Sequence, residues 1–216
     1  CSPERPNTLV RAVCGDLAVE QRSDGEGYFD MLLPPEIPLG EDIVIQLPES
    51  EKSEFVTVEP KTPSASSRCL VISDIDDTIM ISHAAKTLTM IGVTLFGNAL
   101  TRQIFPGTPE LYQSLQHGTT GVDTENNPFA FVTSSPFNLH GLIQLIFKEN
   151  RIPRGAFFMT DWGMDHDKWF RKSHGDHKLV AIRDAMSWFP DRPAILIGDS
   201  GQHDTPIYKQ IAEEFP

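Results

Sequence analysis

Acidic residues crowd the end of a short apolar run in the middle third of the chain. Residues 70–73, LVIS, predict a buried strand, and Asp74 and Asp76 follow directly where that strand ends. Buried carboxylates of like charge repel one another and are costly to remove from water. Their crowding therefore predicts a cation or a proton as partner, and with it a chemical role.

Polar residues close later apolar runs in the same way. Thr133 and Ser134 end a second run, Lys178 lies in the first turn of a predicted helix, and Asp199 and Asp204 follow a fourth run. In a parallel sheet, ligands bind beyond the carboxyl ends of the strands. We therefore expect all of these side chains at one edge of the sheet.

This set of residue types suits phosphoryl chemistry. Two carboxylates from different strands can hold Mg²⁺, which prefers oxygen ligands and keeps much of its water shell. Of Asp74 and Asp76, one can attack phosphorus while the other gives and takes a proton. A hydroxyl from Thr133 or Ser134 and the ammonium of Lys178 would hold the phosphoryl oxygens.

Apolar runs alternate with helical segments from residue 69 onward, which predicts an α/β domain with a parallel sheet covered by helices on both faces. The apolar runs are short, and each is bounded by Gly, Pro or polar residues. Strands are predicted at 69–74, 129–135, 155–161 and 194–200.

Helices are predicted between these strands from their periodicity and their start signals. Segments 137–150 and 176–189 have apolar residues at helical spacing. Thr108 and Thr205 each precede a proline, which predicts that each threonine is an N-cap. The apolar segment 83–100 has mixed helical patterning and is either a core helix or an interfacial element that admits an acyl chain.

Residues 1–62 have a different pattern, and predict a small β-rich domain that forms part of a sandwich. Four antiparallel strands are too few to close a sandwich, so part of the domain is expected upstream. The Ser-rich residues 63–68 predict a linker to the α/β domain at 69–216. The four strands are predicted within 8–21, 27–34, 41–48 and 53–60.

Composition excludes several classes of protein. The formal net charge of −12 argues against binding to nucleic acid, which favours a basic face. Three widely spaced cysteines form neither a disulfide framework nor a zinc-binding CxxC motif.

The Asp- and His-rich residues 161–178 lack the spacing of a Zn²⁺ or Ca²⁺ site, and predict a solvated loop over the functional site.

The motifs DIDDT, FVTSS, HK and GDSGQHD, in this order, resemble those of the haloacid-dehalogenase phosphohydrolases. Longer stretches, including LFGNALTRQIFPGTPELYQSL and ILIGDSGQHDTPIYKQIAEEFP, are similar to the actin-patch-type phosphatidate phosphatases. The resemblance covers residues 69–216 almost throughout. It implies a haloacid-dehalogenase-like Rossmannoid domain preceded by the end of an accessory β domain, in a chain truncated at both ends.

The resemblance also implies roles for the strand-end residues. Asp74 would be the nucleophile and a metal ligand, and Asp76 the general acid and base, binding the metal through its backbone carbonyl. Lys178 would stabilise the phosphoaspartate.

For the phosphate-binding hydroxyl and for the two later aspartates, the resemblance leaves two assignments open. Thr133 would bind phosphate, although Ser134 can take its place because the hydroxyl run leaves the register open. Asp199 would be a metal ligand and Asp204 would support the metal shell, although these two roles can exchange.

The implied function is a Mg²⁺-dependent phosphomonoester hydrolase that converts phosphatidic acid into diacylglycerol and phosphate. Such an enzyme would be cytoplasmic, with peripheral contact to a membrane and no nucleic-acid partner. One alternative is a non-catalytic phosphatidate-binding module on the same fold, but the aspartates and the lysine of the motifs are present. A second alternative is a phosphatase of this superfamily that acts on a soluble substrate, since the motifs recognise only the phosphoryl group.

Overall fold

The structure is a computed structural model, and it divides the chain into two compact units, Cys1–Thr62 and Pro63–Pro216. The predicted helix at 83–100 and most of the predicted loop at 161–178 lie outside the described residues. The structure describes residues 5–37, 41–50, 54–58, 63–81, 104–118, 126–160, 174–200 and 204–216.

The first unit contains a four-stranded antiparallel sheet with the strand order β2-β1-β3-β4. Ala12, Cys14 and Ile43 form its buried cluster. The edge strand β4 leaves Phe55 and Val56 exposed. The strands are β1 (Leu9–Cys14), β2 (Leu17–Arg22), β3 (Ile43–Leu47) and β4 (Glu54–Val58).

Two of the strand predictions for this unit are wrong in detail. The run 8–21 forms two strands instead of one, because Gly15 and Asp16 close a two-residue hairpin loop between Cys14 and Leu17. The run 27–34 forms no strand. It ends in a pair of prolines, which cannot donate to a strand ladder.

The second unit contains the predicted parallel sheet, with the strand order β7-β6-β5-β8. The predicted linker residues 63–68 belong to this unit. Arg192 donates a hydrogen bond of 3.1 Å to Ser67. The strands are β5 (Leu70–Asp74), β6 (Phe129–Pro136), β7 (Ala156–Thr160) and β8 (Ala194–Ile197).

Four helices of the second unit are described, and three of them begin one or two residues earlier than predicted. The cap of the first helix is Gly107 in a left-handed conformation, so Thr108 is helical and its side chain makes no cap hydrogen bond. The last helix begins at Asp204, so Thr205 lies inside it. The helices are α1 (Thr108–His117), α2 (His140–Glu149), α3 (His174–Ser187) and α4 (Asp204–Glu214).

Helix α3 corrects one further prediction. It begins at His174, so the last five residues of the predicted loop at 161–178 are helical. Among the described helices, none has both the length and the hydropathy that a membrane-spanning segment requires.

Helices cover both faces of the parallel sheet. Alternate residues of β5 face opposite sides, as the pleat of a strand requires. Val71 packs with α1 and α2 in one core cluster, and Ile72 packs with α3 and α4 in the other. This mixed α/β architecture, a parallel sheet covered by helices that follows a small antiparallel sheet in the chain, confirms the predicted fold class at that level.

The connections of the sheet place a crevice at the end of β5. The chain continues from β5 to β6 and β7 on one side, and then crosses to β8 on the other side of β5. Crossovers that leave in opposite directions open a space beyond the carboxyl ends of the strands at the point of reversal. Asp74, the last residue of β5, lies at this point.

Candidate active site

A buried ion-pair cluster lies at the carboxyl end of β5. The Lys178 ammonium is 2.7 Å from Asp74 Oδ1 and 2.6 Å from Asp204 Oδ1. The side chains of Asp74 and Asp204 are 4% and 1% exposed, so both carboxylates are almost completely removed from water. One ammonium thus links two buried carboxylates that come from different elements.

Helix periodicity explains why Lys178 and Asp204 point toward this strand end. On α3, Lys178 precedes the buried Ala181 and Ile182 by three and four residues, so it shares the face that packs on the sheet. On α4, Asp204 stands in the same relation to the buried Ile207. The apolar faces that fix these helices on the sheet therefore also aim their first-turn charges at its edge.

Burial dominates the proton affinity of this cluster. It raises the pKa of Asp74 to about 7, although the Lys178 ammonium lowers it, and the carboxylates of Asp204 and Asp76 raise it further. Burial alone would lower the pKa of Lys178, but its two carboxylate partners outweigh that effect and the pKa is raised. Lys178 is therefore held in its protonated form. A further positive charge near Asp74 would stabilise the ionised form of that carboxyl group.

Asp76 lies apart from this ion pair and is held by hydroxyl groups. Thr133, which is fully buried three residues before the end of β6, donates a hydrogen bond of 2.6 Å to Asp76 Oδ2. The Ser135 hydroxyl donates to the same oxygen at 3.3 Å, and the Ser135 N–H donates to Thr133 Oγ1 at 2.9 Å. The two aspartates of the motif thus have different partners, Lys178 for Asp74 and hydroxyls for Asp76.

A tight turn after β5 separates the two aspartates. The carbonyl of Ile75 accepts hydrogen bonds from the N–H groups of Ile79 and Met80, and the N–H of Asp77 donates to the carbonyl of Met80 at 2.7 Å. Asp77 has a φ of 60°, in the left-handed region that Asp and Asn enter more readily than most residues. The turn therefore directs Asp76 toward β6.

The other predicted site residues lie at the same edge of the sheet. Asp199 is partly buried two residues after β8. Ser134 is partly buried, and its carbonyl accepts a hydrogen bond of 2.7 Å from Thr160. Within the described residues, no three His, Cys, Asp or Glu side chains converge as a metal cluster.

Three further residues that contact Asp74 or its backbone network were given no role by the sequence analysis. Thr78 donates a hydrogen bond of 3.2 Å to Asp74 Oδ2. The Ser73 hydroxyl donates to the carbonyl of Asp74 at 2.7 Å and lies 2.6 Å from the hydroxyl of the buried Tyr112. Because Ser73 uses its one proton on that carbonyl, Tyr112 is the donor of the second bond. The motif places Thr78 four residues after Asp74, but no sequence signal identifies Tyr112.

An apolar pocket adjoins Asp76 and Ser135. Its other walls come from the turn after β5 and from the face of α2 that packs on the sheet, including Met80, Leu139 and Leu142. A group bound against Asp76 on this side would therefore meet hydrocarbon.

Gly198 lies where the end of β8 meets α4, and there is no room there for a side chain. A Cβ at this position would overlap the Asp204 carboxylate and lie 2.8 Å from the Tyr208 ring. We expect Gly198→Ala to destabilise the second unit by about 1–3 kcal/mol, because the helix must move to admit the methyl group. Urea unfolding followed by tryptophan fluorescence measures this, since all three tryptophans lie in residues 63–216.

Gly141→Ala is the matched control for this substitution. Gly141 lies in α2, and a Cβ there meets no atom within 4 Å. Alanine favours a helix over glycine by about 1 kcal/mol, so the control should match or exceed the wild-type stability. Equal stabilities of the two variants would contradict the close packing at Gly198.

Comparison with known proteins identifies the class of this domain. Residues 69–216 match the family model described as "Phosphatidate phosphatase APP1, catalytic domain". The match covers more than half of the chain and includes every site residue described above. The chain belongs to this family, and residues 69–216 are its catalytic domain.

Two curated relatives are each similar to about two thirds of the chain. The protein named Phosphatidate phosphatase APP1 from Saccharomyces cerevisiae is 29% identical over 146 residues, which cover 68% of this chain and 24% of that protein. An uncharacterized protein from Schizosaccharomyces pombe is 24% identical over 150 residues, which cover 68% of this chain and 23% of that protein. The matched region thus spans about a quarter of the length of these relatives.

Proposed function

We propose that this chain is a Mg²⁺-dependent phosphatase that hydrolyses phosphatidic acid to diacylglycerol and phosphate through an aspartyl-phosphate intermediate. The observation that carries the proposal is the different environment of the two motif aspartates at the end of β5. Asp74 is paired with Lys178, and Asp76 is held by Thr133 and Ser135. One carboxylate is thus suited to attack and the other to proton transfer.

The fold proposed for residues 69–216 is haloacid-dehalogenase-like. The parallel sheet with the order β7-β6-β5-β8 has Asp74, Thr133 and Asp199 at or near the carboxyl ends of three strands, and helices cover both of its faces. This arrangement supports the proposal, because each motif must reach the same phosphoryl group from a different element.

The residues at this edge fit a bound Mg²⁺. Four carboxylates accompany one ammonium, which leaves an excess of negative charge, and Asp204 Oδ2 is buried without a hydrogen-bond partner among the described residues. We propose that Asp74, Asp199 and the backbone carbonyl of Asp76 hold the ion, with Asp204 supporting the shell. Bound there, Mg²⁺ would neutralise charge on the phosphoryl oxygens and stabilise ionised Asp74.

The first proposed step transfers the phosphoryl group to Asp74. A carboxylate oxygen of Asp74 bonds to phosphorus as the bond to the glycerol oxygen breaks, and Asp76 delivers a proton to that oxygen. Lys178, held beside Asp74, would stabilise the negative phosphoryl oxygens. The Thr133 hydroxyl is engaged by Asp76, which makes Ser134 the freer of the two candidate phosphate-binding hydroxyls.

The second proposed step releases phosphate. Asp76, now ionised, accepts a proton from a water molecule as the water oxygen attacks phosphorus, and the bond to Asp74 breaks. Thr133 and Ser135 orient the Asp76 carboxylate for both proton transfers. The same side chain thus acts first as an acid and then as a base.

The lipid substrate is supported by the family description and by the surroundings of Asp76. The family description and the name of the yeast relative both specify phosphatidate. Apolar side chains of the turn after β5 and of α2 lie beside Asp76, where the glycerol oxygen would leave. A lipid substrate requires peripheral contact with a membrane surface, and the proposed location is accordingly the cytoplasm with such contact.

Phosphate release from a panel of phosphomonoesters tests the proposed function. Phosphatidic acid in mixed micelles, a nucleotide and a sugar phosphate are compared, each with Mg²⁺ and with excess chelator. We expect turnover of phosphatidic acid with Mg²⁺ and none in chelator. Full activity in excess chelator would refute the proposed Mg²⁺ dependence. Faster turnover of the nucleotide or the sugar phosphate than of phosphatidic acid would refute the proposed lipid substrate. Binding to phosphatidate vesicles without turnover would indicate a binding module instead.

A further inference from the structure

Strand β6 has an irregular register against β7 where it passes the candidate site. Val132 pairs with Phe158, and the next pair is Pro136 with Thr160. Three residues of β6, 133–135, therefore lie opposite a single residue of β7. Irregularities of this kind are common beside active sites, where they redirect side chains and leave backbone groups without partners in the ladder.

The side chain of Thr160, the last residue of β7, bonds to this irregular segment. Its hydroxyl donates a hydrogen bond of 2.7 Å to the carbonyl of Ser134 and lies 3.2 Å from the carbonyl of Ser135. A hydroxyl has one proton, so the two carbonyls share it, and the shorter bond goes to Ser134. Pro136, which lies opposite Thr160, has no N–H and cannot donate to β7. The Thr160 side chain thus supplies a link between the strands where the proline cannot.

The same segment carries two hydroxyl groups that bind Asp76. The Ser135 N–H donates to Thr133 Oγ1 at 2.9 Å, a side-chain turn that bends the backbone over residues 133–135. The two hydroxyls reach the same carboxylate oxygen, Asp76 Oδ2, at 2.6 Å from Thr133 and 3.3 Å from Ser135. The position of the Ser135 hydroxyl therefore depends on this bend, and Thr160 bonds to two carbonyls of the bend.

We propose that Thr160 is a positioning residue whose hydroxyl holds the bend at 133–135 and so aligns Asp76 for proton transfer. This inference rests on the proposed function for its effect on catalysis, because that function assigns both proton transfers to Asp76. Thr160 acts through the backbone of Ser134 and Ser135. Loss of its hydroxyl should therefore impair the steps that need Asp76 more than the attack by Asp74.

Thr160→Val tests this role, because valine keeps the β-branched shape and lacks the hydroxyl. A misplacement of about 1 Å in a catalytic group costs up to roughly 10²-fold in rate. We expect kcat for phosphatidic acid to fall roughly 10- to 100-fold, with a smaller change in KM. Thr160→Ser, which keeps the hydroxyl, should recover most of the kcat. Thr57→Val, at an exposed position of β4, should match the wild type.

An aryl phosphate separates the two steps of the reaction in the same variants. Its leaving group needs no acid, so only hydrolysis of the intermediate still depends on Asp76. Mass spectrometry of the quenched protein should therefore find a larger phosphorylated fraction of Asp74 in Thr160→Val than in the wild type. A smaller fraction would overturn the proposal, because the attack by Asp74 would then be the impaired step.

Amide hydrogen exchange gives a readout that does not depend on activity. The Ser135 N–H should exchange roughly three- to tenfold faster in Thr160→Val, while amides earlier in β6, such as that of Ala130, remain unchanged. Unchanged exchange at Ser135, an unchanged kcat, a kcat that Thr160→Ser does not recover, or a loss of the folded state in Thr160→Val would each overturn the proposal. A wild-type chain without phosphatase activity would refute the proposed function, and exchange would still decide whether the Thr160 hydroxyl holds the bend.

Discussion

Asp74→Asn should eliminate phosphate release while leaving the domain folded. An amide cannot act as the nucleophile, so the covalent route is lost altogether. The fold should tolerate the change, because Asp74 is buried, its pKa is raised to about 7, and a neutral side chain of the same shape costs less to bury. The measurement is phosphatidic acid turnover with Mg²⁺, together with the unfolding midpoint of each variant.

Asp184→Asn is the control for this change in charge. Asp184 is exposed on α3, away from the strand end, and its substitution should leave both turnover and stability at the wild-type level. A loss of only about 10²-fold in Asp74→Asn would point to a role in proton transfer instead of attack. The roles of Asp74 and Asp76 would then have to be exchanged.

Lys178→Met should both inactivate the enzyme and destabilise the second unit. Without the ammonium, the buried carboxylates of Asp74 and Asp204 lose their shared partner. Removal of one member of a buried ion pair typically costs about 3–5 kcal/mol. Urea unfolding in excess chelator, followed by tryptophan fluorescence, measures the loss under conditions where no divalent cation replaces the ammonium.

Lys209→Met is the matched control for the lysine substitution. Lys209 lies on α4, and its ion pair with Glu213 at 3.8 Å is largely exposed on both sides. Such surface pairs contribute little to stability, so this variant should unfold like the wild type. If Lys178→Met also unfolds like the wild type, then the ion pairs of Lys178 with Asp74 and Asp204 do not stabilise the fold, and the prediction is refuted.

Elements with a strong periodic signal were predictable from the sequence. All four strands of the parallel sheet were predicted within two or three residues, because each is a short apolar run bounded by turn-forming residues. The helix starts were predicted less well, because a threonine followed by a proline can be either the N-cap or the first helical residue. A threonine before a proline can cap a helix, yet at Thr108 the preceding Gly107 takes the left-handed conformation and begins the helix instead. Local sequence does not decide between these two starts.

The location of the site could be predicted, but the partners of its side chains could not. Parallel strands bring their carboxyl ends to one edge whatever their sequence, and this places Asp74, Thr133 and Asp199 together. The sequence does not show that Lys178 would link Asp74 to Asp204, or that Thr133 would bind Asp76. Those pairings depend on which helix face packs on the sheet and on the turn after β5.

The positioning groups were harder still to find. Ser135 contacts Asp76 because β6 has an irregular register between Val132 and Pro136, which the sequence does not reveal. Tyr112 reaches Ser73 from a separate helix, and only the packed structure brings them together.

In the proposed mechanism, Asp74 becomes phosphorylated while Asp76 transfers protons. Its most direct test is mass spectrometry of the wild type, Asp74→Asn and Asp76→Asn after incubation with an aryl phosphate, whose leaving group needs no acid. We expect a phosphoryl adduct on Asp74 in Asp76→Asn, because hydrolysis of the intermediate lacks its base. We expect no adduct in Asp74→Asn. An adduct mapped to Asp76, or one that persists in Asp74→Asn, would refute this mechanism.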